Sequence, residues 1–375
     1  MKIGVLKENE AENRVSILPE HISKLSKLKL EVLVERDAGS SAYAGNSEYE
    51  NAGAVIASRE DILGTADIIV SVNPPAEKDI KKIPSSAILV STLNPLVMSD
   101  TINLLNAAKI SSFSLDLIPR ITRGQSMDVL SSMASVAGYR AVLDAARFLP
   151  RFFPMFMTAA GTIKPAKVLI LGAGVAGLQA VATARKLGAV VEVFDVRSAV
   201  KEEVKSLGGK FIEVEGATED RAAGGYAVEQ SEEFKKKQAE MIQDHAVKSD
   251  IVICTAQIPG RKAPLLISKT TVENMKPGSV IIDLAASSGG NCEVTQNDKT
   301  IEINQVKVIG ESNYPSTMPS DASKMYGTNL INLLTLLINS EGELNINFED
   351  EIIAGTCLTH KGDLVNERVK SILNK

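Results

Sequence analysis

Gly172, Gly174 and Gly177 stand directly behind the apolar run Val168–Leu171, in the order Gly-Ala-Gly-Val-Ala-Gly. A strand that ends in this spacing and reopens as a helix suits a pyrophosphate. The first glycine permits a tight turn, the second lets backbone approach the ligand, and the third lets helix pack on strand. Val175 and Ala176 open that helix, whose N-terminus favours negative charge. The next strand-like run, Val190–Phe194, delivers Asp195 where a carboxylate would accept from adenosine ribose hydroxyls and repel a 2′-phosphate. With Val196 beside it, Asp195 selects NAD(H) over NADP(H). Arg197, two residues on, is a cation that could accommodate such a phosphate; the sequence gives it instead to the following helix region, as a cap or as a partner of Glu202. Thr255 and Ala256, at the end of a later strand-like run, complete the candidate cofactor-binding set.

The elements that must hold these residues alternate between strand and helix. From Lys167, strands are expected at Val168–Leu171, Val190–Phe194, Lys210–Val214, Ile251–Thr255, Val280–Leu284 and Lys307–Ile309, a doubly wound unit. An earlier alternation, from Met1 to about Pro119, places strands at Ile3–Leu6, Glu31–Val34, Ile68–Val72, Ile88–Thr92 and Phe113–Leu117, with helical spacing over Pro19–Leu30. A proline-free, helix-compatible stretch from Ser126 to about Phe148 joins the two. The tail predicts a helix over Asp321–Ile338, then a hairpin of Glu351–Leu358 against Leu364–Asn366 turned at Lys361-Gly362-Asp363. A lone helix and hairpin make a poor domain, so the tail is expected to pack on the first one. The expected fold is therefore α/β, with two Rossmann-like doubly wound parallel-sheet domains joined by a long helix. The first is discontinuous, 1–135 with 321–375, and a cofactor domain, 136–320, is inserted in it. The polar stretch Glu215–Gln230, carrying Gly216, Gly224, Gly225 and Tyr226, is too long for a routine connection and reads as a mobile element.

Composition excludes several other classes. Apolar residues make up 44% of the 375 and charged ones 23%, as in ordinary globular proteins. A net charge of −5, with basic residues scattered, offers nothing to nucleic acid. The apolar segment Leu330–Ile338, interrupted by Asn332 and Thr335, is too short to span a bilayer, and no secretory signal follows Met1. Cys254, Cys292 and Cys357 are far apart and read as buried small hydrophobes in a reducing, cytoplasmic compartment. His21, His245 and His360 are scattered without carboxylate or cysteine at ligand spacing, so no metal site and no general base are assigned. The run Lys235–Lys237 after Glu232-Glu233 reads as surface i,i+4 pairing.

Several longer motifs carry a resemblance. Lys-Glu-Asn-Glu-Ala-Glu-Asn-Arg-Val (7–15), Pro-Arg-Ile-Thr-Arg-Gly-Gln-Ser-Met-Asp-Val-Leu-Ser-Ser (119–132) and Ala-Gly-Tyr-Arg-Ala (137–141) follow in order. Thr-Ala-Ala-Gly-Thr (158–162), Ala-Gly-Gly-Tyr-Ala (223–227), Asp-Leu-Ala (283–285) and Gly-Gly-Asn (289–291) come after them. Over essentially its whole length the chain resembles the alanine dehydrogenases and the NAD(H)-binding component of proton-translocating nicotinamide nucleotide transhydrogenase. The resemblance implies that Arg120, Gln125, Asp128 and Ser131 surround the nicotinamide ring and its ribose. Arg120 would orient the ring or carboxamide, Asp128 and Ser131 would hold the carboxamide and ribose, and Gln125 would sit at the exposed edge. From its position alone, Asp128 reads as a first-turn charge favoured by the helix dipole. Gly225 and Tyr226 would belong to a loop closing over the cofactor.

Absent chemistry separates the two branches. Alanine dehydrogenases place a lysine where this chain has Asn73 and a histidine where it has Asn94, and asparagine supplies neither charge nor acid. Arg14 keeps the family form, but a structural ion pair becomes its expected role. Ser287 replaces an acidic residue frequent in the transhydrogenase branch. The resemblance thus implies an enzyme active only with partners: NADH here, NADP(H) on another subunit, proton translocation in membrane-spanning subunits, and a homodimer held peripherally at the inner membrane. Two alternatives stand beside it: a self-sufficient amino-acid dehydrogenase with displaced catalytic groups, and a non-enzymatic NAD(H)-sensing module.

Overall fold

The computed structural model describes residues 1–214, 231–258 and 260–373. The chain forms two compact α/β units, Met1–Met133 with Pro315–Lys375, and Ala134–Tyr314. The helix Val129–Phe148 carries the backbone from the first into the second.

The first unit is built on an eight-stranded sheet. Six parallel strands run in the order Val55–Ala57, Glu31–Glu35, Lys2–Val5, Ile68–Val70, Ile88–Ser91, Ser111–Ser114. In chain order this is 3-2-1-4-5-6, the arrangement of dinucleotide-binding folds. Cys357–His360 adds antiparallel to Ser111–Ser114, and Asp363–Leu364 closes the edge. The second unit repeats the pattern over Lys210–Ile212, Val190–Phe194, Lys167–Leu171, Ile251–Cys254, Val280–Asp283 and Val306–Ile309, and ends on an antiparallel strand, Thr300–Ile303. Each sheet carries an apolar core on both faces. That is why its central strands are unbroken apolar runs, such as Ile-Val-Ile-Cys at 251–254, rather than alternating ones.

The differences from expectation lie at element ends and in the tail. The stretch Glu351–Thr356 is a helix, because the Asp350 carboxylate accepts from the Ile352 N–H at 2.8 Å and caps it; only Cys357–His360 and Asp363–Leu364 form the hairpin. The strand expected at Phe113–Leu117 starts at Ser111 and gives way to a 3₁₀ turn at Leu115. The long helix begins at Val129, not Ser126, since Thr122–Met127 winds as 3₁₀. Three features are not visible in the sequence pattern: the short strand Val55–Ala57, the edge strand Thr300–Ile303, and the hairpin Phe156–Thr158 with Gly161–Ile163. That hairpin is exposed throughout, with Met157 at 70% exposure and Phe152 stacked on Phe156 at 4.6 Å between ring centroids.

One glycine fixes how the second unit's helices cross. A Cβ on Gly138 would lie 2.1 Å from the Ala176 carbonyl oxygen, so Val129–Phe148 crosses the helix Val175–Lys186 backbone to backbone. Gly64, inside the helix Arg59–Thr65, faces open space instead. Gly138→Ala is expected to cost about 1–3 kcal/mol through overpacking, and Gly64→Ala to add about 0.5–1 kcal/mol through reduced backbone entropy. Thermal midpoints measured calorimetrically should therefore move in opposite directions; an unchanged midpoint for Gly138→Ala contradicts the crossing.

Candidate dinucleotide site

In the second unit the connections diverge between Lys167–Leu171 and Ile251–Cys254, the switch point of the sheet, and folds of this kind hold ligands in the crevice beyond the carboxyl ends of such strands. Gly172 and Thr255 are the first residues past each. The Gly172 N–H donates to Phe194 O at 2.8 Å, the Thr255 N–H to Leu171 O at 2.8 Å, and the Thr255 hydroxyl to Gly172 O at 2.9 Å. The three glycines have distinct causes. Gly172 has φ +104° and lies where a Cβ would meet the Thr255 hydroxyl at 2.5 Å; a Cβ on Gly177 would be 1.9 Å from Gly172 O. The chain's own packing demands both. Gly174 is different, since a Cβ there meets nothing within 4 Å. Its bare backbone faces open space at the start of the helix Val175–Lys186, which fits a pyrophosphate drawn against the N–H groups of that first turn.

Asp195 follows the strand Val190–Phe194, and its carboxylate accepts from the Ala173 N–H at 2.7 Å, tying the end of that strand to the glycine turn. Val196 packs against the apolar layer on that face of the sheet. Arg197 does not pair with Glu202, whose carboxylate is taken by Lys205 at 2.8 Å. It pairs with Asp195 instead, Nε to Oδ1 at 2.8 Å and Nη2 to Oδ2 at 2.7 Å, because the turn at 195–197 brings the guanidinium back over the carboxylate. Those hydrogen bonds push the Arg197 pKa upward, so its charge is secure.

The Thr255–Ala256 segment rests on residues to which the sequence motifs give no role. Asn291 clasps the Ala256 residue, accepting from its N–H at 3.1 Å and donating to its carbonyl at 2.8 Å. Fully buried Asp283 holds Asn291 in turn, accepting from the N–H groups of Asn291 at 2.8 Å and Cys292 at 3.0 Å and from the Thr295 hydroxyl at 2.7 Å. Gly225 and Tyr226 lie outside the described residues.

Arg120, Gln125, Asp128 and Ser131 belong to the first unit. Arg120 and Gln125 are exposed, whereas Asp128 and Ser131 are half-buried and bound to each other. The Asp128 carboxylate accepts from the Ser131 N–H at 2.9 Å and hydroxyl at 2.6 Å, the geometry of a cap on the helix that follows. The turn before it is anchored from behind. Asn329 and Asn332 of the helix Pro319–Leu337 each donate to Ser126 O at 2.8 Å, and Arg123 binds Asp350 at 2.6 Å. Asn332, which in sequence only interrupts an apolar run, is thus an anchor.

The first unit's own switch-point crevice, between Lys2–Val5 and Ile68–Val70, is filled from within. Glu8 accepts from the Val72 N–H at 2.6 Å and the Asn73 N–H at 3.2 Å, and Asn73 Nδ2 bridges Glu8 and Glu12 at 3.3 and 3.2 Å. Arg14 is gripped by Glu12 through Nε at 2.8 Å and Nη2 at 2.6 Å, so its guanidinium fork is taken. The histidines serve structure: His21 accepts from the Leu18 N–H at a helix start, His245 meets Glu192 at 2.7 Å, and His360 meets Ser111 at 3.1 Å. The three cysteines are free and buried, and burial pushes the Cys292 and Cys357 thiols up to about 11 and 12. Lys235 and Lys237 pair with Glu232 and Glu233. Among the described residues no helix is long and apolar enough to cross a membrane.

With this geometry in place, the family follows. Residues 4–137 match the N-terminal domain and 141–367 the C-terminal domain of alanine dehydrogenase/PNT, and the chain belongs to that family. It is 47% identical over 98% of both chains to a Rhodospirillum rubrum chain that forms the first portion of NAD(P) transhydrogenase subunit alpha. It is 45% identical over 97% of its length to the NAD(P) transhydrogenase subunit alpha of Haemophilus influenzae, 71% of which is covered. The crystal structure of transhydrogenase from Sinorhizobium meliloti superposes with a TM-score of 0.86 at 40% identity, over 98% of this chain and all of that one. Alanine dehydrogenases are more distant, at 26% identity for that of Mycolicibacterium smegmatis.

Burial dominates the titration of Glu8, raising it to about 7 against the backbone donors that oppose it. A carboxyl whose folded pKa lies above its unfolded value near 4.5 contributes stability that is full below 4.5 and lost as pH rises through 7. Glu8→Gln removes that titration, so the variant's thermal midpoint should gain on the wild type between pH 4.5 and 8. A midpoint difference independent of pH would contradict the buried carboxyl.

Proposed function

We propose that this chain is the NAD(H)-binding component of a proton-translocating transhydrogenase, exchanging hydride with NADP(H) held on a partner subunit. The observation that carries this reading over its rivals is the closed crevice of the first unit. A self-sufficient dehydrogenase must clamp a substrate carboxylate and supply a proton, yet Arg14 is occupied by Glu12, and Asn73 joins Glu8 to Glu12. Direct transfer needs neither group. NADH loses hydride, NADP⁺ gains it, and no proton accompanies the step. When bound, the nicotinamide supplies the hydride at C4; the chain's work is to hold it.

In this reading Gly172, Gly174, Val175, Ala176 and Gly177 receive the pyrophosphate. Asp195 and Val196 take the adenosine ribose, and Thr255 with Ala256 lines the crevice. Arg120, Gln125, Asp128 and Ser131 serve the nicotinamide end. Membrane-spanning partners carry the protons, which makes the chain cytoplasmic and peripheral to the inner membrane. The exposed apolar hairpin around Met157 supports a homodimer, since such a surface is costly to leave in water.

The test is reconstitution. Purified chain should bind NADH, sediment at twice its chain mass, and leave NADH unoxidised with pyruvate and ammonia. Adding the NADP(H)-binding partner should start transfer to NADP⁺, followed with a spectrally distinct NAD analogue. Arg120→Ala should lower that kcat by at least about tenfold, equivalent to some 1.4 kcal/mol of barrier. Oxidation with pyruvate and ammonia alone would establish the dehydrogenase instead. Transfer untouched by Arg120→Ala would favour the sensing module.

A further inference from the structure

An ionised carboxylate has about four lone-pair sites, and on Asp195 all four are taken. Its Oδ1 accepts from the Arg197 backbone N–H at 2.9 Å and from Arg197 Nε at 2.8 Å. Its Oδ2 accepts from the Ala173 N–H at 2.7 Å and from Arg197 Nη2 at 2.7 Å. The Asp195 side chain is 6% exposed and that of Arg197 27%, so the guanidinium is the outer member of the pair.

The four donors divide into two kinds. The backbone N–H groups of Ala173 and Arg197 are fixed by the glycine turn and by the turn after the strand, and they hold the carboxylate whatever the arginine side chain does. Nε and Nη2 form a fork that takes one acceptor position on each oxygen. Two adjacent donors facing two carboxylate oxygens is also what the cis-diol of a ribose presents. The fork therefore occupies the acceptor positions that the diol requires, and its charge cancels the one that would repel a 2′-phosphate.

We propose that Arg197 sets the nucleotide specificity of this site, competing with the adenosine ribose for Asp195 and offering a charge partner to a 2′-phosphate. The proposal rests on the dinucleotide reading of the crevice and deepens it. NAD(H) enters by displacing the side-chain fork while the backbone donors keep Asp195 in place. A nucleotide bearing a 2′-phosphate meets a neutral pair rather than a bare anion, so the wild-type site discriminates less sharply than Asp195 alone would. A bracing role for Arg197 makes a different forecast, since a loosened turn weakens both nucleotides together.

NADH and NADPH are titrated separately into the full chain at low salt, with binding read from nucleotide fluorescence. Arg197→Ala should tighten NADH several-fold and weaken NADPH, raising the ratio of the two dissociation constants at least tenfold. Arg197→Lys keeps the charge without the fork, and should tighten NADH while retaining NADPH. Asp195→Asn should lower the ratio below wild type, and these two milder variants decide the matter if Arg197→Ala does not fold. An unchanged ratio in Arg197→Ala, or equal weakening of both nucleotides, would overturn the proposal. A wild-type chain that binds neither nucleotide would overturn the dinucleotide reading and this inference with it.

Discussion

Where the connections of a parallel sheet leave in opposite directions, the backbone cannot cover the carboxyl ends of the two central strands, and the second unit depends on that gap. Leu171 and Cys254 are the last residues of the diverging strands. Everything assigned to the nucleotide in this unit's described residues lies within a few positions of one of them or of the neighbouring strand end at Phe194. The hydrogen bonds among Gly172, Phe194, Thr255 and Leu171 hold the rim, so the glycine turn has little freedom to relax. Asp283 and Asn291 extend the same support to Ala256. Such buried, satisfied polar groups give a crevice its shape before any ligand arrives.

The first unit shares the strand order but makes another use of the gap. Glu8 turns inward and takes the N–H groups of Val72 and Asn73, the kind of backbone donors that a ligand would otherwise meet. Glu12 then neutralises Arg14. One topology thus yields an open crevice where glycine leaves the backbone bare and a closed one where a carboxylate occupies the same place. The contrast follows from side chains rather than from the fold, and it is the physical ground for placing hydride exchange, not amino-acid turnover, in this chain.

Much of this is legible in the sequence. The central strands of both sheets announce themselves as apolar runs because both faces are buried, and Gly172, Asp195 and Thr255 can be placed from strand ends alone. The tail misleads because Ile352 and Ile353 look like strand residues, whereas Asp350 caps a helix there. The sequence offers Arg197 a helix cap or Glu202 as its partner, while a turn that folds arginine back on an aspartate two residues earlier leaves no mark in the pattern. Asn291, Asn329 and Asn332 hold site segments through carbonyls distant in sequence, which no local pattern encodes. The separate causes that the spacing gives the three glycines acquire their particular neighbours, Thr255 and the Gly172 carbonyl, only in the folded chain.

One crevice, in the second unit, is proposed to receive the nucleotide through the bare backbone of Gly174. Calorimetric titration of the purified chain with NADH, repeated on Gly174→Val, tests it most directly. The expected result is one nucleotide per chain, and in the variant lost binding with an unchanged unfolding midpoint. Two nucleotides per chain, or a variant that still binds NADH with wild-type affinity, would contradict it.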